Sequence, residues 1–511
     1  MASTTFIRSL GLIPGVLADS YKVSHPFEYP DAAKMVAYGE FRAAMDRDPL
    51  DQRIVFYGIR HIIDNYIAVQ WTHADIKQLD KFFETHNAGF SKFEYPRDLF
   101  VRIVEEHNGY FPVKIQALPE GSVIYPHVPV YQITASDEFA RLVTYLETIL
   151  TMVWYPSTVA TLSRRSRTRI QRSFTETVDD SLHDMLLPSR LHDFGFRGCT
   201  SVEQSMIGGA AHLLSFEGSD TMSAAFYAQF TLNNGNPVAN SIPATEHSVM
   251  TSYRTEREAI LRMIEKYGDK VFACVMDSYD YANALNEVLP SIAAEKVAKG
   301  GFMVLRPDSG DPVETVMMAL RAADKVFGHT VNSKGFKVLN GCGVIQGDGI
   351  NYKVIDNILD AATKEGYAAQ NIAFGMGGGL LQKVNRDTMS FATKLCHVLY
   401  KDGSTRDVMK FPLTDGGKIS LPGEFAVYSS TSEPHIPQVY PTEAGSQGDG
   451  ENLLKVVYDC GPVKGHTWDD FDSVRARLNR QWQALPPVTN VISSELDVKI
   501  KATLATHHRS K

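Results

Sequence analysis

The chain has 511 residues, with 51 Lys and Arg against 59 Asp and Glu and a formal net charge of −8. At 44% hydrophobic and 22% charged it has ordinary globular composition and the length for a large core. The mild acidity argues against a general nucleic-acid binder, yet leaves room for a local cationic site facing an anionic substrate.

Residues 1–15 read as a loose arm without the positive-then-apolar pattern of a signal peptide. Helical periods dominate up to residue 110, as in 54–71. The period then switches to two. PVKIQALPEG (112–121) turns at Glu120-Gly121 into SVIYPHVPVYQITA (122–135), which predicts a small antiparallel unit. Helices are expected at 136–153 and 158–178. The most apolar stretch, Leu142 to Tyr155, carries Glu147 and is too short to span a bilayer. Arg164, Arg165, Arg167, Arg169 and Arg172 read as a solvated helix face. Cys199, Cys274, Cys342, Cys396 and Cys460 have no CxxC spacing and an odd count, which points to reduced thiols in the cytoplasm.

From 190 onward, short apolar runs end repeatedly in polar or Gly-rich turns: 190–195, 213–220, 241–247, 271–280, 301–310, 343–349 and 371–379. Most are separated by helical patterns, at a step of roughly 30 residues, the βα unit of a parallel sheet. Such a series predicts a (β/α)-barrel, with an open doubly wound sheet as the alternative. After 390 the composition returns to strands, with turns at 401–403 and Asp415-Gly416-Gly417, and could complete the β-rich unit begun near 112. A loop is expected over 440–452. A helix is expected over 468–483, with Thr467 and Asp470 as a capping box, then a frayed tail holding His507 and His508. The fold expected is α/β: a (β/α)-barrel-like domain over 181–390 and a second mixed α+β domain built from 1–180 and 391–511.

In parallel βα architecture ligands sit at the C-terminal ends of strands, and the unusual residues lie there. GMGGG (375–379) follows a run and precedes LLQKVNRD, an expected helix. With QGDG (346–349), one unit earlier, it suggests phosphate binding, although it has neither the P-loop ending nor the GxGxxG spacing. Arg306 and Asp308 in RPDSGDP offer a donor fork and an acceptor for ribose hydroxyls, with Asp308 or Ser309 alternatively capping the next helix. His247 follows Glu246, and Asp277 ends the next run. A histidine among strand-end carboxylates is a candidate acid, base or nucleophile, or a structural residue. Phe194 and Arg197 in HDFGFRG offer a ring and a cation, and Asp220 ends the following run.

At these motifs the sequence resembles the nicotinamide phosphoribosyltransferases, a branch of the type II phosphoribosyltransferase family. The segments that carry the resemblance run in order: LADSYKVSH (17–25), VFYG (55–58), LETIL and WYPSTVAT (146–161), LHDFGFRG (191–198), GSDT (218–221), PATEHS (243–248), DSYD (277–280), RPDSG (306–310), VIQGDG (344–349) and NIAFGMGGGLLQKVNRD (371–387).

The resemblance implies transfer of a 5-phosphoribosyl group from phosphoribosyl pyrophosphate to nicotinamide, in a homodimer with active sites at the interface and no nucleic-acid or membrane partner. Mg²⁺ would ride on the pyrophosphate rather than on protein side chains, and ATP would assist through a phosphohistidine at His247, with Asp277 as its orienting partner. Phe194 and the second subunit's Tyr21 would sandwich nicotinamide, and Asp220 would face its amide. Asp193, Arg197 and Ser241 would join the substrate site. Arg306 and Asp308 would flank ring and ribose, and Gly347, Asp348, Gly377 and Gly378 would hold the 5′-phosphate and ribose. Arg42, Arg386 and Lys394 would hold the pyrophosphate. Gly343, Ala273 and Met376 depart from the animal pattern, which bears on inhibitor binding where Ala273, Val304 and Ile345 lie, and leaves the chemistry intact. The alternatives are a nicotinate phosphoribosyltransferase and a catalytically silent signalling relative.

Overall fold

The computed structural model describes residues 6–412, 414, 418–430, 434–444 and 450–509. The expected turn at 415–417, part of the loop at 440–452 and the side chains of His507 and His508 lie outside the described residues. The chain divides into two compact units: one holds 1–158, 385–469 and 476–511, the other 159–384 and 470–475. The divisions fall at 158/159 and 384/385 rather than at 180/181 and 390/391.

The first unit is built on a six-stranded antiparallel sheet in the order Thr405–Asp407, Phe391–Tyr400, Ala32–Phe41, Pro129–Ser136, Val113–Ala117, Lys455–Asp459. Strands from both chain ends therefore share one sheet, as expected. Val113–Ala117 buries alternate residues, the pattern of a strand with one covered face. Its partner is Pro129–Ser136. The intervening Val123–Ile124 pairs with Ile54–Val55 instead, so the simple hairpin expected across Glu120-Gly121 does not form. The half-buried Glu120 carboxylate accepts from Gly58 N at 2.8 Å and Arg60 N at 3.1 Å, tying that turn back to the start of helix Ile59–Ile62.

The second unit carries a five-stranded parallel sheet, ordered Leu191–Asp193, Ile372–Met376, Cys342–Gln346, Phe302–Arg306, Val271–Val275. Two further expected strands, 213–220 and 241–247, are reduced to isolated parallel bridges, Asp193–Ser219, Gly218–Asn240 and Ala244–Ala273. These bridges link the two edge strands, giving a barrel-like ring. Pro243 has no N–H to give a ladder, and the Thr245 hydroxyl accepts from Val275 N at 2.9 Å where a backbone carbonyl would otherwise serve.

The arginine run on Trp154–Thr177 is not a solvated face. Arg164 and Arg165 are buried, Arg167 donates to Ser215 O at 2.7 Å, and Arg169 pairs with Asp356. Helix Pro312–Phe327 is capped by Asp311, whose Oδ1 accepts from Val313 N and Glu314 N, which leaves Asp308 and Ser309 free of that task. Helix Phe471–Ala484 is capped by Asp470 alone through Ser473 N. Among the described residues no helix is long and apolar enough to cross a membrane.

Candidate active site

The C-terminal ends of the parallel strands surround a cavity of about 660 Å³ in the second unit. Of the expected site residues, Phe194, Arg197, Asp220, His247, Arg306, Asp308, Gly347 and Gly377 line it, joined by Phe196, Thr221, Glu246 and Ser248. Helix His247–Ser252 begins at His247 itself. Its Nδ1 lies 3.1 Å from Ser278 Oγ and its Nε2 lies 3.5 Å from Asp308 Oδ2. The carboxylate beside the imidazole is therefore Asp308, not the expected Asp277. Asp277 Oδ2 accepts from Asp308 N at 3.0 Å and from the Ser309 hydroxyl, so Asp277 shapes the turn that presents Asp308. Sequence proximity could not show this, because the two aspartates end neighbouring strands.

Arg306 Nη2 donates to Asp308 Oδ1 at 2.9 Å, its guanidinium carbon lies 5.6 Å from the Phe194 ring centroid, and its Nε is buried without a partner. The Ser241 hydroxyl donates to Asp220 Oδ1, so Ser241 orients the exposed carboxylate without lining the cavity. Phe194 is held by its N–H on Met376 O at 3.0 Å. Two glycines seat its ring. A Cβ on Gly375 would fall 2.1 Å from Phe194 Cε2, and one on Gly347 would fall 3.0 Å from the same atom.

Residues 189–460 match the model of the nicotinate phosphoribosyltransferase (NAPRTase) family. The chain belongs to that family. Residues 15–115 match the N-terminal domain model of nicotinamide phosphoribosyltransferase. A curated relative from Xanthomonas campestris pv. campestris, named nicotinamide phosphoribosyltransferase, is 40% identical over 87% of this chain and 94% of its own length. One of the same name from Acinetobacter baylyi is 29% identical over 91% and 97%. Among solved structures, human nicotinic acid phosphoribosyltransferase superposes with a TM-score of 0.62 at 17% identity, covering 95% of this chain and all 100% of that one. Nicotinate-nucleotide pyrophosphorylase from Pyrococcus furiosus gives 0.56 at 14% identity, over 92% and 95%. Both share the fold.

In this phosphoribosyltransferase the Gly run has a mixed role. Gly377 lines the cavity, while Gly375 makes space for Phe194. The helix expected after it is only the four-residue turn Gly378–Leu381, too short for a dipole argument. Asp348 is exposed, and its N–H donates to Gln346 Oε1 at 3.0 Å. Ala273, Val304 and Ile345 are buried together, with Phe194, Ile242, Phe302 and Ala373 packed against them. Gly343 leaves room for the Phe302 ring, 3.0 Å from where a Cβ would lie.

Tyr21, Arg42, Arg386 and Lys394 belong to the first unit. Burial pulls the Lys394 ammonium below the ordinary lysine value; Glu147 opposes this, and the cations Arg42, Lys410 and Lys22 reinforce it. Such a group of cations is stabilised by an anion placed among them. Arg386 is exposed and lies 3.7 Å from Asp387.

Asp193, expected in the substrate site, is fully buried and is not among the residues lining the cavity. Its carbonyl accepts from Asp220 N at 2.9 Å, its Oδ1 accepts from Gly195 N at 2.7 Å, and its Oδ2 has no hydrogen bond of good geometry. Burial pushes its carboxyl up to about 6. Between its ordinary value and 6 the native state holds a proton that the unfolded chain releases. Its contribution to stability is therefore present at low pH and falls, by about 3 kcal/mol in all, as pH rises through 6. Asp193→Asn should gain on the parent between pH 4.5 and 7.5 in denaturant midpoints. A pH-independent difference would count against this account.

Proposed function

We propose that the enzyme transfers 5-phosphoribosyl from phosphoribosyl pyrophosphate to nicotinamide, releasing pyrophosphate and forming nicotinamide mononucleotide in NAD salvage. The observation that carries this reading is Asp220, an exposed carboxylate held by Ser241 on the wall of a cavity whose other features are the Phe194 ring and Arg306. The names of the relatives support it. A carboxylate accepts from an amide NH₂ and repels the carboxylate of nicotinate, which separates the two bases.

The pyridine nitrogen attacks the anomeric carbon with a lone pair and has no proton to lose, so no general base is needed. The C–O bond to pyrophosphate breaks as the C–N bond forms. Rate then comes from positioning and from cations on the leaving group. Arg42 and Lys394 are the cations we assign to the pyrophosphate, contributed in a homodimer by the second subunit together with Tyr21. Mg²⁺ would arrive on the pyrophosphate; among the described residues no group of three His, Cys, Asp or Glu is arranged to hold a metal. It would neutralise the leaving group there. We assign ATP coupling to His247, whose imidazole takes the γ-phosphoryl group: an N–P bond forms as the P–O bond to ADP breaks, and water later releases phosphate. Unpaired cysteines support a reducing compartment, the cytoplasm.

The test is mononucleotide formation from nicotinamide and from nicotinate, with and without ATP and Mg²⁺. Nicotinamide is expected to be the better substrate, and ATP to stimulate. Asp220→Asn should narrow the preference in kcat/KM by at least about tenfold, a loss on the scale of one charged hydrogen bond. An unchanged ratio would remove Asp220 from substrate selection. Preference for nicotinate in the parent enzyme would overturn the reading as a whole.

A further inference from the structure

The turn that follows Phe194 is docked on the residues that follow the Gly run, and both its glycines serve that contact. A Cβ on Gly195 would lie 2.7 Å from the Leu381 side chain, and one on Gly198 would lie 2.8 Å from Gln382 Oε1 and 2.9 Å from its Cδ. Neither glycine lies in the left-handed region, so it is the close approach that requires them. Gln382 Nε2 donates to Gly195 O at 2.9 Å and lies 3.1 Å from Cys199 Sγ. The nitrogen, and not the oxygen, must face that carbonyl, because two acceptors repel. The Gln382 backbone N–H donates to Gly378 O at 3.1 Å and closes the turn Gly378–Leu381. A second glutamine makes a similar link: Gln204 Oε1 accepts from Thr200 N at 2.7 Å, and Gln204 Nε2 donates to Leu381 O at 3.2 Å.

The two segments that Gln382 joins both reach the candidate active site. Phe194, Phe196 and Arg197 line the cavity from one, and Gly377 lines it from the other. Gln382 itself does not line it. Its Oε1 is buried with no hydrogen-bond partner. A buried acceptor without a donor works against stability, so stability alone would favour an apolar side chain of the same shape here. The amide is explained by its donor end, which bridges the two walls.

We propose that Gln382 is a positioning residue that couples the two substrate sites. It ties the turn bearing Phe196 and Arg197, on the base side, to the Gly turn on the phosphate side. A ribosyl phosphate held at Gly377 then fixes the wall against which nicotinamide is placed. Binding of phosphoribosyl pyrophosphate thereby tightens binding of nicotinamide, and by linkage the reverse. The inference rests on the reading of this cavity as the site of both substrates.

Gln382→Met keeps the length and volume of the side chain and removes both the donor and the unpaired oxygen. Gly195 O stays satisfied, since Gly198 N also donates to it at 3.1 Å. The thermal midpoint is therefore expected at or above that of the parent. KM for nicotinamide, measured at low and at saturating phosphoribosyl pyrophosphate, reads the coupling. In the parent it should fall as the second substrate rises. In Gln382→Met that dependence should disappear, and kcat should fall by about tenfold through lost alignment. Gly198→Ala acts on the same amide from the other side, its methyl displacing the flexible end of Gln382. It should reproduce the effect in the parent and add nothing in a Gln382→Ala background, where the amide is gone. A parent without the dependence, unchanged coupling and kcat in Gln382→Met, or a full additional effect of Gly198→Ala on Gln382→Ala would each overturn the proposal. So would a loss of activity that follows a lowered thermal midpoint, the mark of a structural role. The preferred base is read in the parent beforehand. If it is not nicotinamide, the same measurements with that base still test the coupling, so the two proposals fail separately.

Discussion

Replacing His247 by alanine is expected to abolish ATP hydrolysis and to raise KM for phosphoribosyl pyrophosphate by about tenfold or more. The reason is geometric. The imidazole stands at the cavity wall with Ser278 Oγ 3.1 Å from Nδ1 and Asp308 Oδ2 3.5 Å from Nε2. When the proton lies on the nitrogen facing Asp308, the other keeps its lone pair for attack on a phosphoryl group. Once phosphorylated, the ring adds negative charge beside Arg306, which would draw the metal-bearing substrate and organise the loop around it. Alanine removes the nucleophile we propose and leaves the backbone of the short helix intact. ATPase assay and recovery of acid-labile phosphate on the protein measure the outcome. Full ATPase activity in His247→Ala would refute the assignment. Asp308→Asn should lower the rate of phosphohistidine formation. Asp277→Asn should act more weakly, since Asp277 reaches the ring only through the 308–309 turn.

Gly375→Ala carries the second large effect, on a different substrate. The added methyl would lie 2.1, 2.2 and 2.9 Å from three atoms of the Phe194 ring, far inside van der Waals contact. The ring must shift to make room for the methyl, and Phe194 is part of the cavity wall, so the shift changes the shape of the cavity. A displacement near 1 Å at a positioning residue is worth roughly a hundredfold in rate, and kcat/KM for nicotinamide should fall on that scale. If the Gly run acted solely as a phosphate cradle, the same change would raise KM for phosphoribosyl pyrophosphate and spare nicotinamide. Steady-state kinetics with each substrate varied in turn separates the two. A fall in kcat/KM confined to phosphoribosyl pyrophosphate would show that the ring is not seated as described.

Local sequence determined the βα repeat, because short apolar runs ending in polar turns report the sheet's period directly. It likewise determined that the two chain ends contribute strands to a unit apart from the repeat, and that Phe194, Asp220, His247, Arg306 and Asp308 lie at the ends of the apolar runs. These are properties of neighbours along the chain. Partners across the sheet are not, and there the tertiary structure decided. Strands a whole βα unit apart in sequence lie side by side, so Asp308 rather than Asp277 meets His247, and Asp277 supports the turn. The arginines on helix Trp154–Thr177 read as solvated by composition, yet packing buries two of them. Gly375 looks like one more glycine of a phosphate loop until the Phe194 ring from another strand is seen to occupy its missing Cβ. The seven apolar runs are alike in sequence, but five become strands and two, one of them broken by Pro243 with no N–H to donate, become isolated bridges. The net charge of −8 is a sum over the whole chain. Only the fold brings Arg42, Lys410 and Lys22 near enough to Lys394 to reinforce the lowering of its pKa by burial, because charge density depends on distance in space and not on composition.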